Sequence, residues 1–220
     1  SRGQLGVVSG TALDTGLVRL LNDGDPGGHY RRALAAFPMQ EYVEEVLARF
    51  FRPDGRGGEP YAPLKMFSMT LDRERARLLA LANFAEVYLA REGHSGSVGV
   101  NLLTKIQFPN LPSLYGAMLA GVNYVLMGAG IPRDIPGALD RMAHHEPVSM
   151  HIDVTGADGS PDELLHFDPR SLWDGEPVEV TRPAFLPIIA SNSLATMMAK
   201  KASGRIDGFV VEGPTAGGHN

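Results

Sequence analysis

The chain reads as an α/β protein of parallel βα units, and three observations predict this. Short apolar runs rich in β-branched residues recur along the sequence, each the length of a strand. Between them lie longer segments whose apolar residues return every three or four positions, the period of a helix with one buried face. Strand and helix patterns alternate most regularly in the second half, the spacing expected of βα units on a parallel sheet. Alternation alone is compatible with either an open sheet or a barrel.

Taken in order, Leu5 to Gly10 is a compact strand ended by glycine, after which Thr11 or Asp14 is placed to cap a helix reaching about Leu21. Asn22 to Gly28 is a loop. His29 to Phe37 and Gln40 to Phe51 are helical patterns separated by Pro38, and Val43, Val46, Leu47 and Phe50 share one face of the second. Arg52 to Pro63, rich in Gly, Pro and charge, reads as a loop, and Leu64 to Met69 as a strand or an extended approach. A long helix is predicted from about Asp72 to Arg91. Leu78, Leu81, Ala82, Ala85 and Leu89 form its stripe, Arg73, Arg75, Arg77 and Glu86 lie largely outside it, and Gly93 stops it.

The remaining predicted strands are Val98 to Leu103, Tyr124 to Met127, Val148 to Val154, Phe185 to Ala190 and Ile206 to Val211. The predicted helices between them are Pro112 to Ala120, Ile135 to His144 and Asn192 to Ala202. Thr155 to Arg182 breaks the series. It is rich in Gly, Asp and Pro, alternates at Glu176 to Val180, and reads as an insertion with a small hairpin, either a lid or a plain surface excursion.

Composition narrows the function. At 220 residues, one domain with a substantial core is the default. A net charge of −5 without a basic cluster argues against nucleic acid as a partner. No stretch approaches the roughly 20 apolar residues of a membrane span, and no basic segment leads into an apolar run, so a cytoplasmic protein is expected. The absence of cysteine excludes disulfides and thiolate chemistry. His29, His94, His144, His145, His151 and His166 show no metal-ligand spacing and read as solvated or structurally bonded. The oligomeric state is left open.

The most informative stretch is Ile206 to Asn220. An apolar strand stops at Glu212-Gly213-Pro214, and Thr215-Ala216-Gly217-Gly218-His219 follows. Glycines allow a flat ligand to approach the backbone, and a histidine after a buried parallel strand sits where α/β barrels place their chemistry. Glu-Gly-Pro-Thr-Ala-Gly-Gly-His resembles the motif of the nitronate monooxygenases, formerly called 2-nitropropane dioxygenases, and the likeness can be followed from Leu5 onwards with the one interruption. It implies a (β/α)8 TIM barrel binding FMN, of which the chain covers the middle portion. A complete barrel runs to about 250 residues, and the residues beneath the flavin and around its phosphate would lie outside this stretch.

The resemblance also implies site residues. Asn101, in Gly99-Val100-Asn101, matches an asparagine that touches the flavin, although the residue alone reads equally as a satisfied core amide. Glu212, Gly217 and Gly218 match flavin-contacting positions. Gly128, in Met127-Gly128-Ala129-Gly130, ends a strand beside the pocket. Ser191 stands near where some members carry a lysine, and also where a helix cap is expected. His219 matches the base that removes the α-proton of a nitroalkane, a role suited to neutral imidazole. Three departures bear on the substrate more than the flavin: Pro214-Thr215 before Ala-Gly-Gly-His, Asn220 after it, and the insertion. The expected partners are a small-molecule nitronate or nitroalkane and molecular oxygen. The alternatives are a flavin enoyl-thioester reductase using NAD(P)H and, from another class, a non-catalytic flavin-binding or scaffold barrel.

Overall fold

Val98, Val100 and Leu102 alternate along one strand with Gly99, Asn101 and Leu103, and the first set is buried. In a strand these two sets face opposite sides of the sheet. That parity organises the computed structural model, which describes residues 3–68, 70–153 and 164–216. A curled sheet of five parallel strands packs against helices. Its strands are β1 (Gly6–Ser9), β2 (Val98–Leu103), β3 (Tyr124–Gly128), β6 (Ala184–Ile189) and β7 (Val210–Val211), hydrogen-bonded in that order. Ser9 pairs with Asn101, Asn101 with Leu126, Leu126 with Leu186, and Ile189 with Val211.

The helices are α1 (Leu13–Asn22), α2 (His29–Leu34), α3 (Gln40–Phe50), α4 (Arg73–Arg91), α5 (Asn110–Leu119), α6 (Ile135–Met142) and α7 (Asn192–Lys201). Asp72 caps α4 by accepting the Arg75 N–H, and Ser191 caps α7 by accepting the Leu194 N–H at 3.2 Å. The expected cap of α1 is different: neither Thr11 nor Asp14 serves, and Ala12 takes the N-cap position in a left-handed conformation. Asp14 is instead buried in the first turn, with its Oδ2 2.5 Å from Arg75 Nη2.

α5 is buried all round from Asn110 to Met118, because the sheet lies beneath it and α4 crosses it. The crossing is close: a Cβ on Gly116 would lie 2.0 Å from the Ala80 carbonyl oxygen. α4 also departs from its predicted stripe. Arg77, expected outside, is buried, and the Arg75 side chain is only 10% exposed, because α4 is overlaid by other elements as well as packing inward. Arg75 pairs with Asp14 and lies over the Phe67 ring at 4.6 Å. Arg77 lies over the Tyr42 ring and donates to the Leu172 carbonyl at 2.6 Å. Asp14→Ala leaves the Arg75 guanidinium buried without its counter-charge. It is expected to lower unfolding stability by about 3–5 kcal/mol, read from urea titration, while Asp23→Ala, at an exposed pair, stays within about 1 kcal/mol.

The interruption differs most from expectation. Val148–His151 forms β4, which lies outside the parallel sheet and pairs antiparallel with β5 (Leu164–Phe167), Ser149 opposite His166. The six strands expected in one series are therefore five plus a separate hairpin, and Glu176 to Val180 forms no strand. Nor is this segment a loose excursion. Leu165, Phe167, Leu172 and Val180 are buried, and Arg73 and Arg77 of α4 bind Asp174 and the carbonyls of residues 171–173. Arg182 closes it against Asp140 and Asp207, both at 2.6 Å. The last strand is also shorter than predicted, since only Val210 and Val211 extend the ladder, and Leu64 to Ser68 forms no strand.

Candidate functional site

Strand parity decides which residues can meet a ligand. Gly10 lies against Val100, Leu102 and Asn83 of α4, so the even-numbered positions of β2 face the helices. Asn101 therefore faces the opposite side of the sheet. Its Oδ1 is buried and has no hydrogen-bond partner among the described residues. A satisfied core amide, the plain reading of a polar residue in a buried strand, is thus not what the structure holds. Leaving a buried acceptor unpaired costs about 1–3 kcal/mol, so such atoms call for a partner.

The sequence-predicted positions gather at one end of the sheet. Asn101 lies in the second half of β2, and Gly128 ends β3 beside Leu103. Ser191 follows β6, and Glu212 follows β7, donating its N–H to the Ile189 carbonyl at 2.8 Å. Because the sheet is parallel, all four stand towards its carboxyl end, on four successive strands. In parallel α/β folds, ligands bind outside this end. Ser191 uses its hydroxyl oxygen to cap α7, so its helix-cap reading holds; the hydroxyl hydrogen can still be donated. Glu212 is half-buried. Gly217, Gly218 and His219 lie outside the described residues.

Sequence reasoning missed a cleft of about 290 Å³ beside these strand ends, lined by Thr104, Lys105, Gly130, Arg133, Asp134 and His151 among others. Thr104 Oγ1 is buried there without a hydrogen-bond partner among the described residues. Gly130 has φ of 140°, and a Cβ on it would meet the Thr104 side chain at 2.9 Å, so glycine is required on both counts. Ala129 beside it holds φ of 52°, a costly conformation for a residue with a side chain. Asp134 accepts both the backbone N–H of His151 at 3.0 Å and the His151 Nδ1 at 2.8 Å. Only the glycines here gave any signal in the sequence. Four of the other histidines are structurally bonded: His166 to Ser149, His94 to the Ala90 carbonyl, His29 to Arg32, and His145 to Tyr115.

The residues present fit a flat ligand at the carboxyl end of the sheet. The orphaned Asn101 oxygen supplies an acceptor for an N–H group, and Gly128 keeps the backbone low, with Ile188 beside it. Among the described residues no group of three or more acidic or histidine side chains is arranged to hold a metal, and no helix is long and apolar enough to cross a membrane. Comparison with protein-family models, with curated proteins and with solved structures finds no match.

Proposed function

We propose that the chain is part of an FMN-dependent oxidoreductase of the nitronate monooxygenase kind, oxidising alkyl nitronates or nitroalkanes with molecular oxygen. The observation that carries this reading is the buried oxygen of Asn101, without a partner among the described residues, on the face of β2 opposite Val100 and Leu102 and towards the carboxyl end of the sheet. Its position is the one at which the sequence resemblance calls for a flavin contact. The strand order supports the barrel. A doubly wound sheet reverses its order at a switch point, whereas five successive parallel strands here pair in chain order without reversal, as they do around a barrel.

On this reading, Asn101, Gly128, Ser191 and Glu212 hold and orient the flavin, with Gly217 and Gly218 allowing its close approach. Bound FMN supplies the redox chemistry, accepting electrons and passing them to oxygen. His219 takes the α-proton of a neutral nitroalkane, leaving the electron-rich nitronate. A preformed nitronate needs no such step.

The first test is the visible absorption spectrum of the full-length purified protein, with identification of any chromophore released. A flavin spectrum with FMN released supports the assignment; a colourless protein that cannot be reconstituted overturns it. Oxygen-dependent turnover of nitroalkanes is expected, and NAD(P)H-dependent reduction of an enoyl thioester would replace the reaction while keeping the cofactor. Asn101→Leu separates a flavin contact from a packing role. It is expected to weaken FMN binding about tenfold, the equivalent of one buried hydrogen bond, while leaving the stability of the apoprotein unchanged or raised. A destabilised apoprotein with unaltered FMN affinity would assign Asn101 to the core instead.

A further inference from the structure

Trp173, the chain's sole tryptophan, seats the excursion on the helices through a relay of hydrogen bonds. Its Nε1–H donates to Tyr115 Oη at 2.8 Å, and Tyr115 Oη lies 2.8 Å from His145 Nδ1. His145 Nε2 lies 3.0 Å from the Val178 carbonyl oxygen. Indole can only donate and a carbonyl can only accept. The directions are therefore fixed: Nε2 carries the imidazole proton, Nδ1 accepts from the Tyr115 hydroxyl, and Tyr115 accepts from Trp173. Every group is satisfied only while His145 is neutral. A proton on Nδ1 would set two donors against each other and leave the Tyr115 hydrogen without its acceptor.

The surroundings oppose that proton. Burial holds the His145 imidazole below the usual histidine range; the Val178 carbonyl works the other way, while Arg170 and the adjoining His144 add to the lowering. Burial pushes the Tyr115 phenol up to about 12, although Trp173 and Arg170 pull it down, with Asp168 on the raising side. The other charged groups on the His145 turn are engaged with each other, Arg141 with Glu146 at 3.5 Å. The segment's two ends are held differently. Arg73 and Arg77 hold Asp174, and hold its carboxyl below the usual carboxylate range; Arg182 binds Asp140 and Asp207. The Asp207 carboxyl is likewise held below the usual carboxylate range: its burial works the other way, and the Phe185 N–H and Arg182 outweigh it.

We infer that His145, Tyr115 and Trp173 form a pH-sensitive latch, which protonation of His145 opens, loosening residues 175–181 and the Trp173 ring while the arginine contacts at either end stay closed. The sign follows from the protonation states. The folded protein favours neutral imidazole, so the unfolded chain takes up the proton first as pH falls. The latch's contribution is complete above the ordinary histidine pKa of about 6.5 and is lost as pH falls through the lower folded value. The segment continues the β4–β5 hairpin, whose His151 and Met150 wall the cleft beside the strand ends, so the latch would make that wall pH-dependent.

The test is the fluorescence of Trp173 between pH 7.5 and 4.5, with acrylamide quenching and far-UV circular dichroism followed in parallel on the full chain. The expected result is a reversible red shift and greater quenching on acidification, with a one-proton midpoint below about 6.5 and unchanged circular dichroism. His145→Asn, which tolerates the φ of 55° at this position and does not titrate, is expected to abolish the transition. Tyr115→Phe is expected to show the acid-type emission at neutral pH. A wild-type spectrum without a transition, a transition that persists in His145→Asn, or one that coincides with loss of helical signal would each overturn the latch.

Discussion

Gly116→Ala is expected to destabilise the protein by about 3 kcal/mol or more, at or beyond the upper end of ordinary overpacking costs. The added methyl would stand 2.0 Å from the Ala80 carbonyl oxygen and 2.5 Å from the Ala80 Cα. Both are backbone atoms, so no side-chain rotation relieves the overlap and the two helices must part. α5 is buried on every side, so moving it away from α4 presses it towards the sheet or the excursion. With total stabilities of about 5–15 kcal/mol, a loss of this size removes a large share of the folding free energy. Urea unfolding measures it directly. Gly175→Ala is the control, since a methyl added there would meet nothing within 4 Å and its loss should stay within about 0.5 kcal/mol. Equal midpoints for the two variants would mean that α4 and α5 do not cross at Gly116.

His219→Ala is expected to lower kcat/KM for a neutral nitroalkane about 10²–10⁴-fold, the usual contribution of a general base. Turnover of the preformed nitronate should be largely spared, because that substrate already lacks the proton. The comparison needs both substrates with the same FMN-loaded protein. An equal fall for both would make the histidine a determinant of binding rather than of proton transfer. No change for either would remove the proposed reaction while leaving the fold as described.

Periodicity carried most of the fold. The β-branched run from Val98 to Leu103 became β2 with both ends as predicted, and the helices from Gln40, Asp72 and Asn192 began within a residue of expectation. What periodicity could not supply was the partner of each strand. Val148 to His151 has the composition of another sheet strand, yet its partner is Leu164 to Phe167, in a segment whose polar composition hid it. Arg77 shows the same limit from the helix side. A helical wheel tells which face is apolar, but not that a second layer covers the charged one.

The candidate site was less legible than the fold. Asn101 was visible as a polar residue in an apolar strand, but only the structure distinguishes a satisfied amide from an orphaned one. The latch had no local pattern at all. Trp173 and Tyr115 are 58 residues apart, and Tyr115 and His145 are 30 apart, so their meeting depends on the packing of α5 against the excursion.

The chain-order pairing of the parallel strands has a consequence for how the protein is made. β1 must wait for β2, since α1 to α4 are all synthesised between Ser9 and Val98. Pairing across such a separation is slow, because the closure entropy is spent before any contact rewards it. Thereafter each new strand leaves the ribosome to find its neighbour already in place: β3 on β2, β6 on β3, β7 on β6. The β4–β5 hairpin closes on itself and delays none of them. Synthesis and assembly therefore run in the same direction for the described strands that follow β2, while β1 waits for a partner far down the chain.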